Sequence, residues 1–385
     1  MEKIIYSLFF LLILRISLAQ TVVSNASYEA LDPSFTQKNK NEIILSWIEK
    51  RADGVHFFRK TWKIDLQKWQ ESEELPIDRN ASTHAEGMPK LAYKKSGECL
   101  LLYEINKPST KTRFSGDLMY AMESQGKWSK AITIHQDTTA GLSHSFGKII
   151  PLTNGEVGAF WLDVKSGPKG RTLVHAVTSP TKGFGEMRIL DQQTCECCRI
   201  DALADEKGGL AIVYRDLNNK GERDMGFIQS TNFGKTFSKP VPLFEDHWEV
   251  NACPHAGPSL AKSSRELEAA WYTGAEGSKG IKWMKVGNKQ MILHLKGDKF
   301  RMPQLASNTV GSTALVYAEI KQKEDNYFKQ IQLATKIGSK ITTISVSQDL
   351  IDCSNPAIIG NGKGYLIAYQ AEGKILVSSR TSDTE

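Results

Sequence analysis

The 385-residue chain has few cysteines, no second long apolar run and no block of like charge. Six cysteines are too few to hold a chain of this length together as a disulfide scaffold. The net charge of +6 is spread along the chain, which gives no reason to expect nucleic acid as a partner. After the first twenty residues no segment is long and apolar enough to cross a bilayer, so we expect no stable membrane insertion.

The first twenty residues differ in character from the rest. A charged start, an apolar run and the small-residue end Ser17-Leu-Ala19 are typical of a secretory signal peptide, here residues 1–19. The alternative is an N-terminal membrane anchor, but Arg15 interrupts a run that is already short for a span. We therefore expect a secreted or periplasmic protein, in a compartment where disulfides can form.

A self-similar unit recurs every 45 to 58 residues or so, which is the length range of a propeller blade. Each unit starts with Pro, Gly or Asp before a short apolar run, near positions 33, 89, 147, 201, 258, 303 and 356. A second apolar run ends 13 or 14 positions later in an aromatic residue: Trp47, Tyr103, Trp161, Tyr214, Trp271, Tyr317 and Tyr369. Turn residues between the runs, and a third alternating run after them, predict four antiparallel strands per unit.

Seven such units predict an all-β fold, a seven-bladed β-propeller that forms a single domain over residues 20–385. A six-bladed sialidase-like propeller is the alternative. The last unit ends at Leu376-Val-Ser-Ser379 without a fourth strand, while Thr21–Ala26 precedes the first unit. We expect this early segment to supply the missing strand and close the ring.

Thiols and imidazoles are concentrated just before the units begin, in segments that open at one end of a propeller's central channel. The six residues before each of the seven starts hold eight of the fourteen Cys and His residues: His84, His144, Cys195, Cys197, Cys198, Cys253, His255 and Cys353. Convergence of these groups favours a soft-metal site, with copper as first choice and zinc as second. Its candidate ligands are Cys195, Cys197, Cys198, Cys253, His255, His84 and His144.

Other interpretations of these residues stay open. Disulfides that join Cys253 or Cys353 to the Cys195 group would suit an exported protein equally well. Either histidine alone, His84 or His144, is more typical of a structural histidine than of a ligand. Cys99 lies inside an apolar run, which predicts a buried core thiol.

Polar side chains follow the aromatic residues and reach the same end of the channel. Candidate catalytic residues are Arg215, Asp216 and Arg301. Candidates for binding substrate, or for supporting metal-bound histidines, are Arg199, Arg223, Asp224 and Trp248. Asp163, Glu49 and Glu319 stand two residues beyond their aromatics, where a charged propeller rim is an equally good interpretation.

Several segments resemble the sialidase-like propellers with Asp-box (BNR) repeats. Ser230–Phe237 resembles the Asp-box, with Asn232 in place of Asp, which implies a turn between third and fourth strands on the face away from an active site. Phe300-Arg-Met-Pro303 resembles the motif that carries the first sialidase arginine, here in the sixth unit instead of the first. Cys195-x-Cys-Cys198 with Cys253-Pro-His-x-Gly-Pro258 is similar to an exported bacterial subgroup, which implies fold more than activity.

Three functions are therefore expected, in decreasing order. The first is a metal-dependent oxidoreductase or copper-binding factor that acts through copper at the channel mouth. The second is an exo-sialidase or related glycoside hydrolase, in which Arg199, Arg215 and Arg301 would hold an acidic ligand. The third is a non-catalytic propeller that binds a partner. The expected substrate is a small molecule or a glycan.

Overall fold

The computed structural model describes residues 20–110, 115–164, 169–180, 182–264 and 266–381. Within these residues thirty strands form seven antiparallel sheets that follow one another along the chain. The protein is a seven-bladed β-propeller, so the prediction from the repeats is confirmed and the six-bladed alternative is wrong. The predicted signal peptide, residues 1–19, lies outside the described residues. Among those described, no helix is long and apolar enough to span a membrane.

The strands of the first four blades run outward from the channel in chain order. In blade 1 they are β2 Glu29–Asn39, β3 Glu42–Arg51, β4 Gly54–Lys63 and β5 Lys68–Leu75; in blade 2, β6 Lys90–Tyr93, β7 Cys99–Asn106, β8 Gly116–Ser124, β9 Lys127–Trp128 and β10 Ile132–Thr133; in blade 3, β11 Ser145–Pro151, β12 Val157–Asp163, β13 Arg171–Ser179, β14 Lys182–Phe184 and β15 Arg188–Thr194; in blade 4, β16 Asp201–Ala204, β17 Leu210–Arg215, β18 Met225–Ser230 and β19 Val241–Phe244.

The last three blades complete the ring. In blade 5 the strands are β20 Ser259–Lys262, β21 Leu267–Thr273, β22 Gly280–Lys285 and β23 Met291–Lys296; in blade 6, β24 Phe300–Ser307, β25 Thr313–Lys323, β26 Asn326–Ile337 and β27 Lys340–Ser345; in blade 7, β28 Cys353–Asn361, β29 Gly364–Ala371, β30 Lys374–Arg380 and β1 Gln20–Val22.

The ring is closed by the N-terminal strand. Thr21 pairs with Val377, so β1 is the outer strand of blade 7, as the sequence predicted. First strands of neighbouring blades contact one another all the way round, from β2 with β6 to β28 with β2. They therefore enclose a central channel.

The repeated aromatic residue of each second strand lies in the core between blades. Trp47, Trp161 and Trp271 are at most 1% exposed, because adjacent sheets pack face to face there. Each indole N–H needs an acceptor when buried. Trp47 donates to Glu49 over 3.1 Å and Trp161 donates to Asp163 over 2.6 Å. These two carboxylates thus have a structural role.

A β-bulge interrupts four of the first strands near their start. Asp32, Phe146, Met302 and Asn355 have φ angles of 54°, 56°, 56° and 48°, and strand register shifts at each of them. A bulge bends the strand and turns a side chain to a new direction. Proline or glycine follows each bulged residue. In these four blades the first mark of the sequence repeat is therefore the residue that follows the bulged one.

The Asp-box-like segment forms the turn between β18 and β19. Asn232 Oδ1 accepts hydrogen bonds from the Thr236 amide over 2.9 Å and from the Ser230 hydroxyl over 3.0 Å. Its Nδ2 donates a hydrogen bond to the Thr236 hydroxyl over 2.8 Å. An aspartate oxygen at this place would instead accept a hydrogen bond from that hydroxyl. The substitution Asn for Asp is therefore compatible with a closed turn.

His175 makes stability dependent on pH. The ring is 1% exposed, stacks on Phe160 and donates from Nδ1 to the Ala159 carbonyl over 2.9 Å. Burial lowers the pKa of His175 from 6.5 to about 4. Between these two values the unfolded chain binds a proton that the folded protein does not, so stability falls as pH falls from 6.5. We expect a loss of up to about 3 kcal/mol over this window.

The measurement is the free energy of unfolding by urea at pH 7 and at pH 4.5. His175→Phe should lose about 1 kcal/mol at pH 7 with the hydrogen bond, yet show a shallower fall toward pH 4.5. An equally steep fall in the variant would assign the pH dependence to other groups.

Candidate metal centre

Three buried cysteines occupy the segment that leads from blade 3 into blade 4. Cys195 and Cys198 are 1% and 2% exposed, and Cys197 is 5% exposed. The Cys195 amide donates to the Arg215 carbonyl over 3.0 Å, which fixes the segment to the end of β17. Phe146 packs against the three side chains from blade 3. The thiols thus lie in a pocket built by two blades.

The three sulfur atoms form one group, which we call the inner triad. Cys195, Cys197 and Cys198 have their sulfurs within 4.8 Å of one another. Cys195 Sγ and Cys198 Sγ are 3.5 Å apart. All six cysteines of the chain are free, so the alternative of disulfides at the mouth is not what the structure contains.

A second group of three donors shares one sulfur with the first. Cys197, Cys253 and His255 have donor atoms within 4.8 Å of one another, and we call this set the outer triad. Cys253 and His255 are exposed, whereas Cys197 is buried. His255 has a φ of 45°, a conformation that single residues adopt only where the surroundings hold them.

Arg223 supplies positive charge to the inner triad. Its Nη1 donates to Cys195 Sγ over 3.1 Å. Hydrogen bonds from Cys197 and Cys198, together with the Arg223 charge, lower the pKa of Cys195. Burial raises the pKa of Cys198, with the Arg215 charge opposing that rise. Cys195 is therefore the thiol that carries negative charge most readily.

Arg215 holds the loop of the outer triad. The side chain is 1% exposed and donates to three carbonyls, those of Arg223 at 2.6 Å, Ala256 at 2.7 Å and Tyr272 at 2.7 Å. The guanidinium also lies 4.7 Å from the Trp248 ring, in a cation–π contact. Because the hydrogen bonds occupy this group, it acts as a positioning residue in the structure.

Arg199 connects blades across the channel. It donates to the Pro258 carbonyl over 3.2 Å and to the Pro303 carbonyl over 2.8 Å, and pairs with Glu86 of blade 2. Although burial opposes it, the Arg199 charge holds the pKa of Glu86 below its usual value. The Gly257 amide donates to the same carboxylate over 3.1 Å. Arg199 therefore joins the outer-triad loop to the opposite blade.

The remaining predicted polar residues lie beside the triads. Asp224 accepts hydrogen bonds from the Trp248 amide over 3.1 Å, so it shapes the loop before Cys253. Burial and the Asp191 charge raise the pKa of Asp216 to about 7. The Arg301 guanidinium lies 4.9 Å from the Tyr272 ring and is partly exposed. Arg199 and Arg215 donate hydrogen bonds to other blades, whereas the described hydrogen bonds of Arg301 go to carbonyls of its own segment.

The two candidate histidines differ in position. His84 lies with its ring centroid 4.4 Å from that of His255, next to the outer triad but outside it. His144 belongs to neither triad; its ring stacks on His135 at 3.4 Å and its Nδ1 lies 3.2 Å from Asp163. We therefore leave His144 out of the ligand set, because its ring lies against His135 and Asp163 and in neither triad.

The other two cysteines pack in cores between blades. Cys99 is 1% exposed, as predicted for a core thiol. Cys353 is equally buried and has its sulfur 3.4 Å from the Ile351 carbonyl. In the structure Cys353 belongs to the core of blades 6 and 7 and does not pair with the Cys195 group.

Sequence reasoning missed two residues of the centre. Glu86 and Phe146 both lie within the six residues before a repeat start, so position alone could have identified them. Neither residue is a thiol or an imidazole, the two groups on which the predicted site was based. Phe146 packs against the inner triad, and Glu86 lines a cavity of about 570 Å³ in the channel, together with His84, Lys90, Arg199 and His255, among others.

Comparisons with known proteins identify the fold and no family. No protein-family model matches the chain, and no curated protein sequence does. The polysaccharide lyase Uly1 superposes with a TM-score of 0.59 at 10% identity, covering 91% of this chain and 90% of that one. An ulvan lyase of family PL25 gives 0.59 at 11% identity, covering 95% and 96%. A protein of unknown function from Dyadobacter fermentans gives 0.53 at 12% identity, covering 94% and 98%. Polysaccharide lyases thus share this fold.

Proposed function

We propose that this protein is an exported propeller that binds copper as Cu(I) at its channel mouth, as a copper-binding factor or a copper-dependent oxidoreductase. The observation that carries the proposal is the 3.5 Å separation of Cys195 Sγ and Cys198 Sγ. Two thiolates bound at about 2.3 Å to one tetrahedral ion lie about 3.8 Å apart, whereas a disulfide needs about 2.05 Å. The sulfurs are therefore close to the spacing of metal ligands.

The donor set favours copper over zinc. Both triads are rich in thiolate, and each offers three donors within 4.8 Å, whereas structural zinc almost always takes four. Soft thiolates select Cu(I). The Arg223 guanidinium beside Cys195 compensates negative charge that several thiolates bring into a buried pocket.

Copper content of the purified protein tests this proposal. Protein from cultures supplied with copper and zinc, reduced and handled without oxygen, should retain at least one copper per chain in elemental analysis. Cys197→Ala should remove most of it, because Cys197 belongs to both triads. Cys353→Ala is the matched control, a buried thiol outside the centre, and should keep its copper. Metal well below one equivalent, with the mouth thiols found as disulfides, would overturn the proposal.

A second candidate is an enzyme that acts on acidic glycans. It is supported by the polysaccharide lyases that share the fold and by cationic side chains that line the cavity, among them Lys90 and Lys148. One of those lyases is described with a bound glucuronate-containing disaccharide repeat. Ultraviolet absorbance of unsaturated uronate products from ulvan, and release from fluorogenic sialosides, would detect lyase or sialidase activity. Activity that survives Cys198→Ser and is lost in Arg301→Ala would favour this candidate.

A further inference from the structure

Five donors meet at the channel mouth, but they do not form one group. The inner triad and the outer triad each fit within 4.8 Å, and Cys197 is the one member common to both. No set of four donors within that distance occurs in the part of the chain that the structure describes. The donors are therefore arranged as two threefold sites that meet at a single sulfur.

One four-coordinate ion does not match this arrangement. Four sulfur ligands at about 2.3 Å from one ion lie about 3.8 Å from one another along every edge. The inner triad meets this spacing between Cys195 and Cys198, yet neither Cys253 nor His255 joins that triad within 4.8 Å. Two three-coordinate ions use all five donors, provided that the Cys197 thiolate bridges them.

We infer that the mouth holds two Cu(I) ions bridged by the Cys197 thiolate; this inference depends on the proposed function. The inner ion is bound by Cys195, Cys197 and Cys198, and the outer ion by Cys197, Cys253 and His255. A thiolate sulfur has more than one lone pair, so it can bind two soft ions at once. No electron is transferred when the ions bind: each thiol that becomes a ligand releases one proton.

Charge and burial make the two positions different. Four thiolates and two Cu(I) ions sum to two negative charges, and Arg223 lies against Cys195 at the inner position. The ligands of the inner ion are all buried, whereas Cys253 and His255 are exposed. The inner ion is therefore sheltered from solvent, and the outer ion is the one that exchanges with a chelator or with a partner that delivers copper.

Copper stoichiometry tests the bridge. Reduced, metal-free protein is titrated with Cu(I) in the absence of oxygen, with bathocuproine disulfonate as competitor. Wild type should bind two ions per chain, with the outer ion released first. Cys253→Ser should bind one ion, because it leaves the buried inner triad intact. The variant Cys195→Ser/Cys198→Ser should also bind one, held by the outer triad and exchanged quickly. X-ray absorption of wild type should show a copper–copper path that both variants lack.

The outcomes separate this inference from the proposed function. One ion per chain in wild type, without a copper–copper path, would contradict the inferred pair of bridged ions and would still agree with the proposed copper binding. No bound ion overturns both. Cys253 is exposed, so Cys253→Ser is expected to fold; circular dichroism and melting temperature confirm this. If Cys253→Ser folds and still binds two ions, the outer triad is not a site and the inference is wrong.

Discussion

Replacing Arg215 with methionine should lower the free energy of unfolding by about 3 to 5 kcal/mol, because three buried carbonyls lose one hydrogen-bond donor group together. Methionine fills similar space but donates nothing, so the carbonyls of Arg223, Ala256 and Tyr272 would lose their donor inside the protein. Each unsatisfied buried carbonyl costs about 1 to 3 kcal/mol. Because Ala256 follows His255, the outer triad should loosen as well.

Urea unfolding of the metal-free protein measures this effect without the contribution of bound copper. Arg188→Met is the matched control: Arg188 is exposed and donates to the exposed Lys235 carbonyl, so its loss should cost at most about 0.5 kcal/mol. A cost below about 1 kcal/mol for Arg215→Met would mean that water replaces the guanidinium, and that the loop does not depend on it.

The blade repeat was predictable because it rests on local physical requirements. A bulge near the start of the first strand selects residues such as Pro33 and Gly147, and a buried position in the second strand selects aromatics such as Trp161. The buried aromatic recurs in every blade and the bulge in four of the seven, so an offset of 13 or 14 residues appears in the sequence. The ring closure by β1 followed from counting strands.

The candidate centre was predictable only in part. Position relative to the repeats placed Cys195, Cys253 and His255 at one mouth, and the structure brings these segments together. The same rule also selected His144, whose ring instead stacks on His135, because position does not fix the direction of a side chain. Arg199 and Glu86 are separated by 113 residues, and no local pattern reveals a contact at that distance.

Replacing Arg223 with glutamine should weaken Cu(I) binding about ten- to a hundredfold, the range found when a group that supports a metal ligand is removed. Arg223 Nη1 lies 3.1 Å from Cys195 Sγ, and the guanidinium is the charged group that donates to the inner triad among the contacts described. Without it, buried thiolates would keep excess negative charge, which costs free energy in an interior of low dielectric. Competition with bathocuproine disulfonate measures the affinity.

Two controls separate charge from packing in that experiment. Arg223 also donates to the Val250 carbonyl over 3.2 Å, so glutamine could act by loosening the loop before Cys253. Arg223→Lys keeps the charge but loses the paired geometry, and should recover part of the affinity if charge compensation is the cause. Arg188→Gln, at an exposed arginine, should bind copper as wild type does. If the lysine and glutamine variants lose equal affinity for Cu(I), the charge that lysine keeps has no effect. The loss would then come from the loop before Cys253, which the arginine geometry holds in place.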